Sequence, residues 1–399
     1  MRGFRLLTDV RILSHMTIHK VLVQPSGREF TVATGQTVLA AALAAGITLP
    51  HGCKNGACGS CKGKVLSGGV HHRLHAEAAL SAFEEAAGAA LFCCAYPQTD
   101  LIIEARIAAA LDGIVPHKMP GRIERITWAA KDVAILTVKL PASEHLQFRA
   151  GQYMDFILPN GVRRSYSIAS MPGAEGPIEF HIRHMPGGTF TDALFGLSDP
   201  PVRERGILRL EGPLGTFFLR ESDAEPIVLL ASGTGFAPIK AIVETIFAKG
   251  IHRDDPLTGR FGRAVVLYWG ARTRRDLYMH ALPRRWEREQ PNFRYIPVLS
   301  EPESEQQASA ASSLGGGSQG DEEPAQAWDG RTGFVHRAVM QDLPDLSGYQ
   351  VYACGVPIMV QSAHRDFVAQ CGLREENFFS DAFVSRADLP PAARENESA

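Results

Sequence analysis

The stretch that decides the fold is His51-Gly-Cys-Lys-Asn-Gly-Ala-Cys-Gly-Ser-Cys61, in which three cysteines follow the spacing C-x4-C-x2-C. A pair of cysteines, Cys93 and Cys94, follows farther along the chain. Glycines stand between the cysteines, and glycine lets a backbone approach a bulky group without a Cβ clash. The stretch therefore predicts a loop that wraps one compact inorganic group and presents thiolates to it.

The spacing also indicates which group the loop holds. C-x4-C-x2-C with a distant fourth cysteine is a ligand spacing of [2Fe–2S] clusters, whereas structural zinc normally needs paired C-x2-C or Cys/His elements. A Rieske centre needs two histidine ligands, but four cysteines already complete a set. We predict Cys53, Cys58 and Cys61 as ligands. Spacing alone leaves Cys93 and Cys94 open as the fourth, since neighbours on an extended segment point opposite ways.

The sequence on either side of the loop resembles a plant-type ferredoxin domain. The resemblance rests on Gly35-Gln-Thr-Val-Leu-Ala-Ala-Ala-Leu-Ala-Ala-Gly-Ile-Thr-Leu-Pro50 and on Leu91-Phe-Cys-Cys-Ala-Tyr-Pro97. It implies a β-grasp fold, and it selects Cys93, two residues after the leucine, as the fourth ligand, which leaves Cys94 to packing. We predict this domain over residues 17–106, with an opening hairpin around Pro25-Ser-Gly27.

Composition limits the remaining possibilities. A chain of 399 residues predicts two or three domains, and 45% hydrophobic with 21% charged residues is typical of folded globular proteins. The 41 basic residues nearly balance the 43 acidic ones, which argues against a nucleic-acid-binding protein. No apolar run is long enough to cross a membrane. Seven cysteines without a secretory signal favour metal or redox chemistry in the cytoplasm.

Residues 117–222 change character to short β runs separated by turn residues. In Ile178-Glu-Phe-His-Ile-Arg-His184 apolar and polar residues alternate, as a half-buried strand requires. Several such runs at close spacing predict a barrel. A glycine pair, Gly187-Gly188, precedes a short helical run, and free N–H groups at a helix start bind anions. Arg164 adds a group suited to gripping phosphate.

The motif Arg164-x-Tyr166-Ser167, with Gly151-Gln-Tyr153 upstream, resembles the FAD-binding barrel of the ferredoxin-NADP-reductase family. The resemblance implies a six-stranded antiparallel barrel in which Arg164 holds the FAD pyrophosphate. It also implies that Tyr166 packs on the isoalloxazine and that Ser167 reaches the N5 region. Phosphate would be cradled by Gly187, Gly188 and Thr189.

Residues 223–385 alternate strand and helix patterns, which predicts a mainly parallel sheet. The buried-strand run Ile227–Ala231 leads into Ser232-Gly-Thr-Gly-Phe-Ala-Pro238, so the amides of Gly233, Thr234 and Gly235 face a site suited to pyrophosphate. An insertion at about 301–327 and the tail 388–399 have the composition of disordered segments.

The same family places Gly-Thr-Gly-x-x-Pro here and a Cys-Gly-x-Pro segment later, which in this chain begins at Cys354. The resemblance implies that Cys354 lies near the nicotinamide, the alternative being a buried cysteine at a strand end. Arg272 follows the second strand, where related proteins read the adenosine ribose, and NADH and NADPH both stay open. Phe383 is a candidate for covering the flavin, against ordinary core packing.

Residues 17–385 thus resemble one multidomain α+β and α/β arrangement of ferredoxin domain, FAD barrel and nicotinamide domain. They are most similar to CDP-6-deoxy-Δ3,4-glucoseen reductases and to the reductase components of ring oxygenases. The resemblance implies an enzyme that passes hydride from NADH or NADPH to FAD, and single electrons through the cluster to a protein acceptor. That acceptor would be a deoxysugar dehydratase or an oxygenase component. Two other classes remain open, a non-catalytic metal-binding module and a flavin diaphorase without iron.

Overall fold

A computed structural model describes residues 17–108, 111, 113–302 and 328–384. The tail predicted at 388–399 and nearly all of the predicted insertion lie outside the described residues. None of the described helices combines the length and the apolar character that crossing a membrane requires. The chain divides into two compact units, Met1–Pro50 with Lys54–Ala109, and His51–Cys53 with Ala110–Ala399.

The first unit is built on a five-stranded mixed sheet with the order β2-β1-β7-β3-β5. Strands β1 and β7 are parallel, the other neighbours are antiparallel, and β4 pairs with β6 in a separate ribbon. The elements are β1 Ile18–Gln24, β2 Arg28–Ala33, α1 Val38–Ala44, β3 Lys62–Ser67, β4 Val70–His72, α2 Ala82–Ala86, β5 Ala89–Leu91, β6 Ala95–Pro97 and β7 Leu101–Glu104.

Local sequence explains why these elements form. The predicted hairpin joins β1 to β2, and Gly27 supplies the left-handed turn with φ of +70°. Thr37 caps α1 by accepting a hydrogen bond from the Ala40 amide, and Gly46 follows the helix with φ of +71°. The buried face of α1 packs into the core of the unit. This sheet and helix confirm the β-grasp prediction.

The first part of the second unit is a six-stranded antiparallel sheet with the order β11-β10-β13-β8-β9-β12. A bridge between Ile168, just after β11, and Phe180 of β12 joins the two outer strands and closes the sheet into a barrel. The barrel prediction is therefore confirmed. The elements are β8 His117–Ala130, β9 Val133–Lys139, β10 Tyr153–Ile157, β11 Arg163–Ser167, β12 Ile178–Arg183, α3 Thr189–Leu194 and β13 Ile207–Leu214.

The second part of this unit is a parallel six-stranded sheet with the order β17-β16-β15-β14-β18-β19. Chain order reverses at β14, because β15 lies on one side of it and β18 on the other; ligands bind at such switch points in open α/β sheets. The elements are β14 Ile227–Ser232, α4 Phe236–Ala248, β15 Val265–Ala271, α5 Ala281–Glu289, β16 Phe293–Leu299, β17 Arg331–Thr332, α6 Val335–Asp342, β18 Gln350–Gly355, α7 Pro357–Cys371 and β19 Phe378–Ala382.

Candidate functional site

The predicted cluster loop is an irregular segment that ends at β3. Cys53 is half-buried, whereas Cys58, Cys61 and Cys93 are each at most 9% exposed. Gly56 has φ of +83°, and a Cβ there would lie 2.6 Å from the Cys94 sulfur. The loop can therefore adopt this path only with glycine at that position.

The conformation of the chain at Cys93 and Cys94 differs from the extended segment that the sequence analysis assumed when it considered the fourth ligand. Residues 92–94 form a turn, closed by a hydrogen bond from the Cys94 amide to the Leu91 carbonyl, and are not extended. The two sulfurs consequently lie only 3.5 Å apart, so the assumption that neighbouring side chains diverge is wrong here. Their surroundings differ, however. A hydrogen bond with the Cys61 thiol is the main cause that raises the pKa of Cys93, whereas Cys94 lies against Gly56 and Arg73.

These donors fit the predicted group. Thiolates are the ligands that iron–sulfur clusters take in proteins. Cys58, Cys61 and Cys93 are buried close together, since Cys61 and Cys58 both raise the pKa of the Cys93 thiol. The Ser60 amide donates to the Cys58 sulfur at 3.5 Å. In the part of the chain that the structure describes, no three Cys, His, Asp or Glu side chains converge closely enough to hold a single metal ion.

The Arg-x-Tyr-Ser motif lies on β11, the outer strand next to β10. Successive side chains of a strand point to opposite faces, and the two arginines separate accordingly. Arg163 pairs with Asp155 at 3.2 Å and with Glu211 at 2.9 Å. The guanidinium of Arg164 contacts the carbonyl of Arg163 at 2.9 Å, and it has no carboxylate partner among the described residues. Arg164 is thus the arginine left available to an anion.

Tyr166 and Ser167 complete the motif. Tyr166 packs edge-on against Phe156 with ring centroids 4.8 Å apart, and burial raises the pKa of its phenol, which keeps the ring neutral. Ser167 is 6% exposed. Its hydroxyl can both donate and accept a hydrogen bond, which suits it to contact a polar ligand.

The predicted phosphate cradle forms the start of α3. Gly187 has φ of +79°, and a Cβ on Gly188 would lie 2.6 Å from the Thr191 hydroxyl. Thr189 is exposed at the first position of the helix. The Gly187 amide, however, donates to the Asp192 carboxylate at 3.1 Å. This amide is therefore already engaged, which the glycine pattern alone did not indicate.

The Gly-Thr-Gly segment forms a single turn between β14 and α4, at the switch point of the sheet. Gly235 is packed so closely that a Cβ would lie 2.1 Å from the carbonyl oxygen of Cys354. Gly233 has φ of +53°, and Thr234 is half-buried between the two glycines. No side chain other than that of Thr234 extends from the turn, so its backbone can approach a pyrophosphate.

Arg183 is a residue beside this turn that the sequence analysis missed. Its guanidinium lies 3.6 Å from the position of a Cβ on Gly233. The Nε and one terminal nitrogen are buried without a hydrogen-bond partner among the described residues, and the Asp132 carboxylate lies 3.5 Å from Nε. Unsatisfied buried donors are costly. Arg183 sits in a strand whose alternation was interpreted only as a folding signal, so no motif pointed to it.

The remaining predicted residues lie around the ends of the parallel strands. Arg272 is exposed just after β15, where its carbonyl accepts from the Glu301 amide at 2.9 Å. Cys354 is fully buried near the end of β18, and burial raises the pKa of its thiol. Phe383 is half-buried after β19 and packs against the core of this unit. The structure thus places Cys354 in the core, and Phe383 at its edge.

Asp381 is a second residue that the sequence analysis missed. It lies opposite Cys354 in the pairing of β18 with β19. The carboxyl is buried, and this burial raises its pKa to about 7. A titratable group shifted in this way at a crevice is a candidate functional group. The residue lies in Phe378-Phe-Ser-Asp-Ala-Phe383, of which the sequence analysis singled out only Phe383.

Family models match most of this chain. A 2Fe-2S iron-sulfur cluster binding domain matches residues 21–98, an oxidoreductase FAD-binding domain matches 120–219, and an oxidoreductase NAD-binding domain matches 229–312 and 318–365. These matches confirm the predicted cofactors, namely a [2Fe–2S] cluster, FAD and a nicotinamide nucleotide.

The chain is similar to whole reductases over nearly their full lengths. It is 40% identical to the CDP-6-deoxy-L-threo-D-glycero-4-hexulose-3-dehydrase reductase of Yersinia pseudotuberculosis, covering 91% of this chain and 98% of that protein. It is 32% identical to reductase component 1 of terephthalate 1,2-dioxygenase from Comamonas, covering 92% and 98%. Among solved structures, the Amycolatopsis cytochrome P450 reductase GcoB superposes with a TM-score of 0.66 at 31% identity, covering 92% of this chain and 99% of that one.

Proposed function

Because this chain belongs to the family of NAD(P)H-dependent flavin/iron–sulfur reductases, we propose that it is the reductase of a CDP-deoxysugar dehydrase system. It oxidises NADH or NADPH and delivers electrons one at a time to a separate protein. The observation that carries the choice of acceptor is the 40% identity to the Yersinia dehydrase reductase, which extends over 98% of that protein.

A second candidate acceptor is the terminal component of an oxygenase. It is supported by the 32% identity to the terephthalate dioxygenase reductase and by the likeness to the cytochrome P450 reductase GcoB.

The domain division at 17–106, 117–222 and 223–385 is part of the proposal, as is a cytoplasmic location. The second and third of these domains belong to one compact unit.

The bound groups together supply the conversion of a two-electron donor to one-electron transfer. The protein's part is to bind and orient them. Arg164 grips the flavin pyrophosphate with a guanidinium that no carboxylate neutralises among the described residues. Tyr166 flanks the flavin ring, held in place by Phe156. Ser167 offers its hydroxyl to the N5 region.

The nicotinamide nucleotide is held at the switch point of the parallel sheet. Backbone amides of the turn Gly233–Gly235 contact its pyrophosphate, and Arg183 adds positive charge beside them. Arg272 lies where the adenosine end would be bound. Cys354 on β18 lies opposite Asp381 on β19, and Phe383 follows β19 directly.

The cluster is held by Cys53, Cys58, Cys61 and Cys93. Gly188 and Thr189 would contact the flavin phosphates, and Gly187 would join them only when the hydrogen bond from its amide to Asp192 opens. Hydride transfer itself requires no general acid–base pair, and the proton that arrives with the hydride would leave to water as the two electrons pass on one at a time.

The acceptor is tested with the reconstituted holoprotein under anaerobic conditions. Reduction of a purified CDP-6-deoxyhexulose dehydrase is compared with reduction of an oxygenase component from the same cells. We expect a kcat/KM at least about tenfold higher for the dehydrase, a difference of about 1.4 kcal/mol. The matched control is Cys58→Ser, which should still oxidise nicotinamide nucleotide with a dye but should not reduce the protein acceptor. Preference for the oxygenase component supports the second candidate, and absence of acid-labile sulfide from anaerobically prepared protein refutes both.

A further inference from the structure

A buried polar network joins the nucleotide-binding helix to the flavin barrel, and no motif pointed to it. Its centre is Lys240, on α4 five residues after Gly235, with a side chain only 10% exposed. The ammonium lies 3.2 Å from the Glu179 carboxylate on β12 and 2.9 Å from Glu244 on its own helix. It also donates to the carbonyl of Ala169 at 3.2 Å. Each of its three contacts is therefore made to an oxygen atom.

The network extends beyond Lys240 through a histidine. His181 Nε2 lies 2.8 Å from the same Glu179 oxygen, and its Nδ1 lies 2.8 Å from the Tyr278 hydroxyl. An ionised Glu179 accepts from Nε2–H, so Nδ1 is the unprotonated nitrogen and accepts from Tyr278. Tyr278 in turn packs against Trp269 with ring centroids 5.3 Å apart. The Trp269 indole donates to the Gly233 carbonyl at 3.0 Å.

The charges in this network are consistent with that direction of the hydrogen bonds. Burial alone would raise the pKa of Glu179, but His181 and Lys240 lower it to about 2, so the carboxylate is ionised. Burial lowers the pKa of His181, which keeps the imidazole neutral. A buried charge is tolerated only when paired and hydrogen-bonded, and Lys240 meets both conditions.

Lys240 connects two segments that follow predicted cofactor-binding residues. Ala169 lies two residues after Ser167, the hydroxyl assigned to the flavin, and its amide donates to the Glu179 carbonyl at 2.8 Å. Lys240 itself lies one turn into the helix that begins at the Gly-Thr-Gly turn. The same ammonium therefore fixes the segment that follows Ser167 and the segment that follows Gly235.

We propose that Lys240, through Glu179 and the Ala169 carbonyl, is a positioning residue that holds the glycine turn in register with Ser167 and so sets the geometry of hydride transfer. The inference rests on the proposed function, since it assigns the two segments to the two nucleotides. Lys240 itself is not assigned a contact with either nucleotide. Errors of about 1 Å in such a geometry cost roughly a hundredfold in rate, so loss of the link should act on the rate of flavin reduction more than on nucleotide affinity.

The two carboxylates that contact Lys240 provide a matched pair of variants. Glu179→Gln weakens the link between the barrel and α4. Glu244→Gln removes a contact within α4 alone, at position i+4, and leaves the link intact. Lys240→Met removes the whole link, and Lys240→Arg keeps the charge. Lys249→Met controls for loss of a lysine that pairs with Glu221 on the surface.

Flavin reduction by NADH or NADPH is followed in an anaerobic stopped-flow instrument, and binding of the oxidised nucleotide is measured by calorimetry. We expect Glu179→Gln and Lys240→Met to lose roughly ten- to a hundredfold in the limiting rate constant. The nucleotide Kd should stay within about threefold, a change below 1 kcal/mol. Lys240→Arg should recover part of the rate, whereas Glu244→Gln and Lys249→Met should match the wild type.

Amide hydrogen exchange of the protein without nucleotide gives a readout that needs no turnover. Peptides covering 165–183 and 233–248 should exchange faster in Glu179→Gln and Lys240→Met than in Glu244→Gln. Equal losses of rate in the Glu179 and Glu244 variants overturn the inference, as does a lower thermal stability of Lys240→Met with an unchanged limiting rate. A wild-type protein whose flavin is not reduced by either nucleotide refutes the proposed function instead.

Discussion

Cys354 on β18 and Asp381 on β19 stand directly opposite each other in a parallel strand pair, with both side chains buried. Alternation along β19 puts Phe379 on the same face as Asp381, and the rings of Phe379 and of Phe383, the residue after the strand, pack against the core that contains Phe217. Burial raises the pKa of the carboxyl to about 7. The acid is therefore held in apolar surroundings beside a thiol.

Asp381 should make the stability of the protein depend on pH. Between the unfolded pKa of about 3.8 and the folded pKa of about 7 the folded protein holds a proton that the unfolded chain has lost. Stability contributed by this group is therefore complete below pH 4 and is lost as pH rises through 7. At about 1.4 kcal/mol per pKa unit the loss amounts to a few kcal/mol. Asp381→Asn lacks this titration. Urea unfolding at pH 5 and pH 8 should show the wild type losing more stability than the variant.

Asp345 offers a matched control, because hydrogen bonds from Ser347, the backbone one first, lower the pKa of this exposed carboxyl. Asp345→Asn should leave the loss of stability between pH 5 and pH 8 as it is in the wild type. If Asp381→Asn loses as much stability as Asp345→Asn over that interval, the shifted pKa of Asp381 is wrong.

The adjacent cysteines should respond differently to substitution. Cys93→Ser removes a predicted ligand, and we expect it to lower the content of acid-labile sulfide and cluster absorbance at least about tenfold, since even outer partners of a metal act on that scale. Cys94→Ser should keep the cluster, because that sulfur contacts Gly56 and Arg73 instead. Iron and sulfide analysis of anaerobically prepared protein measures both. Cluster loss in the Cys94 variant with retention in the Cys93 variant would reverse the assignment.

The two arginines of β11 should separate flavin binding from folding. Arg164→Met removes a charge-assisted contact worth about 1.5–3 kcal/mol, so the Kd for FAD should rise roughly 10–100-fold. Arg163→Met instead breaks the ion pairs with Asp155 and Glu211 and should leave the flavin affinity nearly unchanged. Fluorescence titration of the apoprotein with FAD gives both constants. A weaker flavin affinity in the Arg163 variant alone would assign the pyrophosphate to the other arginine.

Much of the fold followed from local sequence. The glycine turn after Ile227–Ala231 lies between a buried strand and a helix, as its pattern predicted. The apolar run of the strand and the glycines of the turn are adjacent in the sequence, so both could be recognised locally. The barrel strands were equally clear from alternation, as at Ile178–Arg183. Period and turn chemistry act over a few residues, so one sequence is enough to detect them.

What the sequence did not reveal depends on distant residues. The turn at 92–94 that brings the two cysteine sulfurs together could not be distinguished from an extended segment by spacing. Lys240 and Glu179 are far apart in the chain, and a lysine on a helix is normally a solvated residue. Only the packing of α4 against β12 makes it a buried partner. Burial raises the pKa of Asp381, and the neighbouring residues in the sequence do not indicate that this carboxyl is buried.

Gly235 should be more sensitive to substitution than its backbone conformation suggests. Its φ is not in the left-handed region, so alanine is allowed locally, but a Cβ would lie 2.1 Å from the Cys354 carbonyl oxygen. Backbone must move to relieve such a contact, and overpacking of this kind costs about 1–3 kcal/mol. Because the same turn presents its amides to the nucleotide, Gly235→Ala should weaken nucleotide binding while flavin binding persists. Urea unfolding and calorimetric titration with NAD+ or NADP+ measure the two effects.

Gly348 supplies the comparison, since it has no positive φ and no atom lies within 4 Å of the position of its Cβ. Gly348→Ala should change the free energy of unfolding by no more than about 1 kcal/mol, in the stabilising direction, because alanine restricts the unfolded chain. Its nucleotide affinity should equal that of the wild type. If Gly235→Ala binds nucleotide as tightly as Gly348→Ala does, the turn at β14 does not approach the pyrophosphate, and the nucleotide must be held by side chains such as Arg183 instead.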